Sequence, residues 1–428
     1  MRVAAAFCAI ILVLWAALVP TDPSPRADVR ILEYDKNGRP TNVRRFNAEN
    51  GEKAPGADVL VLPENRYEDG ELLVVNPPPR FQGPARRLGF AVIETVQLPQ
   101  LSLEVFRLRT PDGLSVPQAI TLLRRRFPGS VIDANHIYQP QQFIYPSRGQ
   151  PQQQARYSAS DARGLIGWAK ATADCGKGVR LGMIDAPVDV RHPALAGQHI
   201  RFRSFHKARR KPGPADHGTA IAAMLVGKPS WGGLLPGAEL RAGNIFEVNE
   251  TGQVVGNAVG LLKAINWLAK ERVHVINLSV AGADNKVMRI AFKRAQKKNL
   301  VMVAAAGNWG SADRPAYPAA YKQVVAVTAF GRQWVVYFKA NRGPYIEFAA
   351  PGVRVWTAVP GGGRFQSGTS FAVPYISVLM ALEIVRRPGR SPATLRRFLR
   401  KHTIDLGAPG RDDIFGWGFV DLRPDCAG

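Results

Sequence analysis

The sequence predicts an α/β protein: a doubly wound, mostly parallel sheet with helices on both faces, preceded by a small α+β domain. Three observations carry this. From Leu165 onward the short apolar runs VRLGMID, AELRAGNI, VHVINLSV, NLVMVAAAG and QVVAVTAF are interleaved with the helical patterns HGTAIAAMLVG, GNAVGLLKAINWLAKE and VMRIAFKRAQKKN. Strands without a polar face need cover on both sides, which helices flanking a parallel sheet supply. Upstream, Arg87 to Gln139 reads strand, strand, helix, strand, enough for a second, smaller core within a chain of 428 residues.

Taken in order, residues 1–20 are one Arg followed by VAAAFCAIILVLWAALV and closed by Pro20. This is the pattern of a signal peptide or membrane anchor, at the lower limit of about 17 residues for crossing a bilayer. It predicts export, to the periplasm, the medium or the outer face of a membrane. Residues 21–84 are rich in Pro, Asn, Arg and Gly, interrupted only by VLVL and LLVV, and read as a largely flexible segment. In residues 85–139, LGFAVIETVQL, LSLEVFRLR and SVIDANHIY are strand-like. SVPQAITLLRRRF between them is an amphipathic helix with Ser115 as its cap and Pro117 in its first turn. Residues 140–164, rich in Gln, Ser and Pro, are a linker, and residues 165–428 form the large domain.

The formal charge is +24, with basic bursts at Arg201–Lys211, Lys286–Lys298 and Arg386–Lys401. The last two fall on amphipathic helices, where solvated faces account for most of the charge. An anionic membrane or wall surface and an acidic substrate are the other partners it fits, and no motif points to nucleic acid.

The chemistry centres on GTSFAVP, which places Ser370 at a sharp turn opening the helical run SFAVPYISVLMALEIVRR. Unpaired backbone N–H groups and a positive dipole end there favour an oxyanion beside the hydroxyl. A serine hydroxyl needs a base and a group to orient it. His217 opens a helical pattern and Asp185 ends a strand pattern. In a doubly wound sheet both positions lie at the carboxyl edge, where active sites form.

These segments, with Asp, His and Ser in that order, resemble the subtilisin-like serine proteases over about Leu165 to Asp421, and FGWGFVD resembles the family's closing segment. The resemblance implies a catalytic triad of Asp185, His217 and Ser370. It also implies an oxyanion-hole amide at Asn308 of AAAGNWG, and substrate-binding positions at Ser279, Val280 and Ala281 of NLSVAGAD and at Ala305 and Gly307. Ala281 stands where a Gly is common, which would narrow the pocket toward small or medium side chains. The family's Asp-Ser/Thr-Gly is replaced by Asp185-Ala186-Pro187. Pro lacks an N–H and fixes φ, so the loop after the Asp takes its own path. The layout of residues 85–139 is similar to the family's propeptide, a folding template and inhibitor, so self-cleavage belongs in the linker.

The reading is an exported serine endopeptidase made as a precursor, acting on proteins or peptides. It needs no cofactor, and structural calcium, which many family members bind, is left unassigned. Two alternatives stay open: a catalytically silent binding protein of the same fold, if the altered loop misplaces Asp185, and a basic surface-binding protein. The oligomeric state is not set. His192 and His206 lack ligand partners at metal spacing and read as structural or solvated, and Asp216 reads as a helix cap. With Cys8 inside the apolar leader, Cys175 and Cys426 are the pair available for a disulfide in an oxidising compartment. In the simplest chain-entropy treatment such a closure contributes about 4 to 5 kcal/mol.

Overall fold

The computed structural model describes residues 66–140, 164, 166–168, 171–424 and 426, and the backbone of two short strands at 29–34 and 40–46. The chain divides into two units, Met1–Val59 and Leu60–Gly428. In the first, β1 (Val29–Tyr34) and β2 (Pro40–Phe46) pair antiparallel. The apolar leader and nearly all of the 140–164 linker lie outside the described residues.

In the second unit, the large domain is built on a nine-stranded sheet. Its strands are β7 (Arg180–Asp185), β8 (Ile200–Ser204), β10 (Glu239–Asn244), β13 (Val275–Leu278), β15 (Val301–Ala305), β16 (Val325–Phe330), β17 (Ile346–Pro351), β20 (Thr403–Ile404) and β21 (Phe419–Val420). Their spatial order is β20-β21-β17-β16-β15-β13-β7-β10-β8, all parallel except at the β20–β21 edge. The central strands are buried along their whole length, as strands covered on both faces must be. The chain places β10 on one side of β7 and β13 on the other, so the order reverses at β7. Asp185, the last residue of β7, stands at that switch point, beside Asn244 of β10.

One face of the sheet is covered by α3 (Asp216–Val226) and α6 (Val373–Arg386), the other by α4 (Ala258–Lys270) and α5 (Lys286–Lys297). α4 and α5 have true side-chain caps: Asn257 accepts from Gly260 N and Asn285 from Met288 N. The stretch Thr369–Arg386 is apolar and long enough to cross a bilayer, but 78% of it is buried in the core, where it serves as a central helix. A short helix α7 (Pro392–Arg400), capped by Ser391, follows it. The disulfide Cys175–Cys426 joins the two ends of the large domain, across 251 residues.

The small domain contains β3 (Tyr67–Val75), α1 (Gln82–Arg87), β4 (Ala91–Leu98), β5 (Leu103–Arg109), α2 (Val116–Arg126) and β6 (Val131–Pro140). α2 begins as read from the sequence: Ser115 and Gln118 form a capping box, with Pro117 in the first turn. The expectation of flexibility through residue 84 differs from the structure at β3 and α1. The run LLVV alternates between two cores, Leu72 and Val74 facing α2, Leu73 and Val75 facing α4 and α5, and all four are fully buried. Complete burial of each such side chain contributes about 1.5–3 kcal/mol, which orders a stretch whose neighbours are Pro-rich.

The two domains share a second sheet. The small domain's strands run in the order β4-β5-β3-β6. β6 continues into β12 (Val254–Asn257), which leads on to β11 (Glu247–Val248) and β9 (Lys211–Pro212) of the large domain, and β6 also pairs with β14 (Val280–Gly282). β6 therefore lies between two strands of the large domain, antiparallel to both.

Candidate active site

Asp185 reaches the carboxyl edge because β7 ends there, and it is fully buried. Its Oδ1 accepts from Ala186 N at 2.6 Å and lies 2.6 Å from His217 Nδ1. The Ala186-Pro187 turn leaves the carboxylate facing the imidazole. Its two carbonyls press against the start of α3, where a Cβ on Gly218 would come within 2.2 Å of Ala186 O and 2.4 Å of Pro187 O. Only a glycine after His217 lets the Asp loop and the helix approach this closely. The loop is further tied to α3 by Asp189 N donating to Thr219 Oγ1 at 2.9 Å.

His217 sits in the first turn of α3 and is 1% exposed. Its Nε2 is buried with no hydrogen-bond partner among the described residues. The ring packs 5.5 Å from that of Phe371, the residue after Ser370. Asp216 is not the helix cap; Ala215 occupies that position, and the Asp216 carboxylate takes an N–H from Arg364 at 3.0 Å.

Ser370 is the middle residue of a short 3-10 turn, Thr369–Phe371, that leads into α6, and it is fully buried. The turn is held by Gly368, whose φ of 154° is a left-handed conformation only glycine adopts readily and whose N–H donates to Gly352 O. Asn308 follows β15 in the loop facing this turn. Its Oδ1 accepts from Thr369 N at 3.0 Å and from Thr369 Oγ1 at 2.9 Å, and Gly307 N donates to the same hydroxyl at 3.3 Å. The carboxamide is thus oriented through its oxygen by the residue that precedes Ser370.

Ala305 ends β15, and Gly307, at φ 105°, has no room for a Cβ because Asn341 Nδ2 and Ala316 Cβ would lie 2.6 and 2.7 Å away. Val280 and Ala281 belong to β14, with Ser279 just before it, and all three are buried. β6 covers this strand, with Pro140 opposite Val280, Gln139 opposite Ala281 and Tyr138 opposite Gly282. Tyr138 is buried to 1% exposure, and burial pushes its phenol far above the ordinary value.

Supporting residues had no signal in the sequence, because each is an isolated polar residue. Ser377 Oγ of α6 donates to Asn277 Oδ1 (3.1 Å), whose Nδ2 donates to Ser279 Oγ (3.2 Å), tying α6 to the cleft strand. Asn341, fully buried, accepts from Trp309 N at 2.8 Å and donates to Arg314 O at 3.0 Å, fixing the turn that carries Asn308. Tyr345 donates to Ala306 O at 2.7 Å, and burial raises its phenol to about 12, so it remains a donor through neutral pH. His192 is structural: Nδ1 accepts from Ala194 N, Nε2 faces Gly362 O, and the ring packs on Trp231.

A parallel sheet whose switch point carries an Asp–His pair, facing a serine turn at a helix start, is the arrangement of an α/β serine hydrolase. The family model described as the subtilase family matches residues 176–418, and the chain belongs to that family of serine peptidases. It is 30% identical over 256 residues to the minor extracellular protease Epr of Bacillus subtilis, covering 58% of this chain and 38% of that protein. With fervidolysin of Fervidobacterium pennivorans it shares 29% identity over 291 residues, covering 60% of this chain and 41% of that protein. The chain thus spans about two fifths of the length of these two relatives. The crystal structure of fervidolysin, a keratinolytic enzyme related to subtilisin, superposes with a TM-score of 0.66 at 22% identity, covering 84% of this chain and 61% of that one. At that identity the match shows the fold.

Proposed function

We propose that this protein is an exported serine endopeptidase, made as a precursor, with Asp185, His217 and Ser370 as its triad. The observation that carries the reading is the buried 2.6 Å contact of His217 Nδ1 with Asp185, with the opposite ring nitrogen left unpartnered among the described residues. In the mechanism, Ser370 Oγ attacks the peptide carbonyl while His217 Nε2 takes its proton. Asp185 holds the tautomer and stabilises the imidazolium. The oxyanion is met by the Asn308 side-chain amide and the backbone N–H of Ser370. Collapse breaks the C–N bond, His217 returns the proton to the leaving amine, and water then hydrolyses the ester by the same steps.

The precursor reading is supported by β6. It occupies the groove between β12 and β14 as an extended substrate would, by strand addition. Because β6 is antiparallel to β14, its chain direction at Pro140 is back along Val280 and Ser279 toward the carboxyl edge where Asp185 stands. The first bonds of the 140–164 linker are then the ones to be cut. Export is supported by the extracellular relative and by the Cys175–Cys426 bridge, a feature of oxidising compartments.

The test is intact mass and amino-terminal sequence of wild type beside Ser370→Ala, both expressed with export. Loss of everything before a point in 140–164 by wild type alone is the expected result. Equal lengths would remove self-processing, and a fluorophosphonate probe that labels neither protein would remove the hydrolase reading.

A further inference from the structure

We infer that the loop between β8 and β9, at residues 205–210, is a second recognition site of the processed enzyme, taking carboxylates of a substrate chain upstream of the cleft. The inference rests on the precursor reading above. In the unprocessed chain the site is filled from the small domain. Lys207 Nζ lies 2.9 Å from Glu68 Oε2 and 3.0 Å from Glu71 Oε1. Arg210 grips Glu68 with both terminal nitrogens, at 2.8 and 3.1 Å.

The large domain's own buried counter-charge at this site is Glu247, fully buried and 2.8 Å from Arg210, with its other oxygen accepting from Lys207 N. Glu250 is 3.8 Å from Arg210 but 91% exposed, too well solvated to count for much. Departure of the small domain removes Glu68 and Glu71, leaving Arg210 on Glu247 and the Lys207 ammonium without the two carboxylates it now holds, its backbone N still on Glu247. Two neighbouring cations, Arg210 still held by Glu247, over a single buried carboxylate form a receptor for another.

The loop stands on the path a substrate takes. β9 follows it, β9 pairs with β11, β11 with β12, and β12 with β6. The cavity here, about 830 Å³, is lined on the large-domain side by Lys207, Arg210, Asn257 and Gly260 and on the other by Glu68 and Glu71. Asn135, on β6 five residues before Pro140, donates from Nδ2 to Glu71 Oε2 at 2.8 Å, while its Oδ1 accepts from Val259 N at 3.3 Å. A substrate in the register of β6, with Glu in place of Asn135, brings its own carboxylate to where Glu71 is held now.

The experiment uses wild type that has processed itself and been freed of the small domain by size exclusion. It is given two synthetic peptides spanning Ile132–Pro146 of this chain, one carrying Asn135→Glu and the other Asn135→Gln. Binding is read as KM, or as Ki against a general substrate where a peptide resists cleavage. The Glu peptide is expected to bind about threefold to tenfold more tightly at low ionic strength. The difference should vanish in about 1 M salt and in Lys207→Gln. Arg210→Gln is unsuitable, because it leaves Glu247 buried without its cation, and the peptide comparison on wild type stands whether or not any variant folds. Equal binding of the two peptides, or a preference unchanged in Lys207→Gln, overturns the site. Intact mass separates the two ideas. A chain that keeps residues 66–140 removes the precursor reading and the site with it, whereas a processed enzyme indifferent to the charge removes the site alone.

Discussion

Tyr138 and Gly282 face each other across β6 and β14, and a Cβ built on the glycine would lie 2.7 Å from Tyr138 Cδ1. The ring is seated against the floor of the cleft, fully buried, at the end of the small domain's last strand. Gly282→Ala should force the ring out, and Tyr138→Ala should remove its packing, a loss of about 3–5 kcal/mol for a large buried aromatic side chain. Both variants are expected to release the small domain sooner, seen as a shorter lag before proteolytic activity appears in purified precursor. A lag unchanged in both would mean that the ring does not hold the strand in place.

Ser370→Ala and His217→Ala are expected to lower kcat by about 10⁶-fold each, and the double variant by about the same amount, because the two act as a unit. Asp185→Asn should cost about 10⁴-fold through the wrong tautomer of His217. Additive losses in the double variant, measured by active-site-titrated kinetics on a peptide substrate, would separate the two residues.

Asn308→Ala should reduce kcat by about 10²- to 10³-fold with little change in KM. Thr369→Val, which keeps the backbone donor but removes the hydroxyl that also holds Asn308 Oδ1, should produce a smaller loss of the same kind. An effect of either variant on KM alone would place Asn308 in ground-state binding instead.

Glu71 gives the small domain a pH dependence. Burial alone would raise its pKa, but hydrogen bonds and charge from Arg107, with the charge of Lys207 and a hydrogen bond from Asn135, outweigh it and hold the carboxyl at about 2, from an ordinary 4.5. A depressed carboxylate contributes stability that is complete above the unfolded value and is lost as pH falls toward the folded one. Because Arg107 and Asn135 belong to the same small domain as Glu71, it is the folded small domain that should hold this stability at neutral and mildly acidic pH and lose it between about 4.5 and 2. Glu71→Gln should flatten that part of the profile in a fluorescence-monitored unfolding titration of Ser370→Ala.

Replacing Cys175 and Cys426 together by Ser should lower stability by about 2–5 kcal/mol, the usual range for a native bridge. The bridge closes 251 residues, so the drop is expected in the melting of the whole large domain. Thermal unfolding of oxidised and reduced wild type provides the same comparison without a substitution.

By itself the sequence determined the α/β class, because two-sided apolar strands interleaved with helices leave few ways to hide both from water. It also singled out Asp185, His217 and Ser370, since they stand at the end of a strand pattern or the start of a helical one, where local pattern can be read, while Asn308 was marked only by the resemblance of AAAGNWG to the family. The strand at Tyr67–Val75 was missed because its Pro-rich surroundings hid a run whose two faces are buried in different cores. Only the tertiary structure decided what joins the two domains. The β6 pairings with β12 and β14, and the grip of Lys207 and Arg210 on Glu68 and Glu71, link residues more than a hundred positions apart. Register and charge pairing over such distances depend on how whole elements pack, and no local periodicity carries that information.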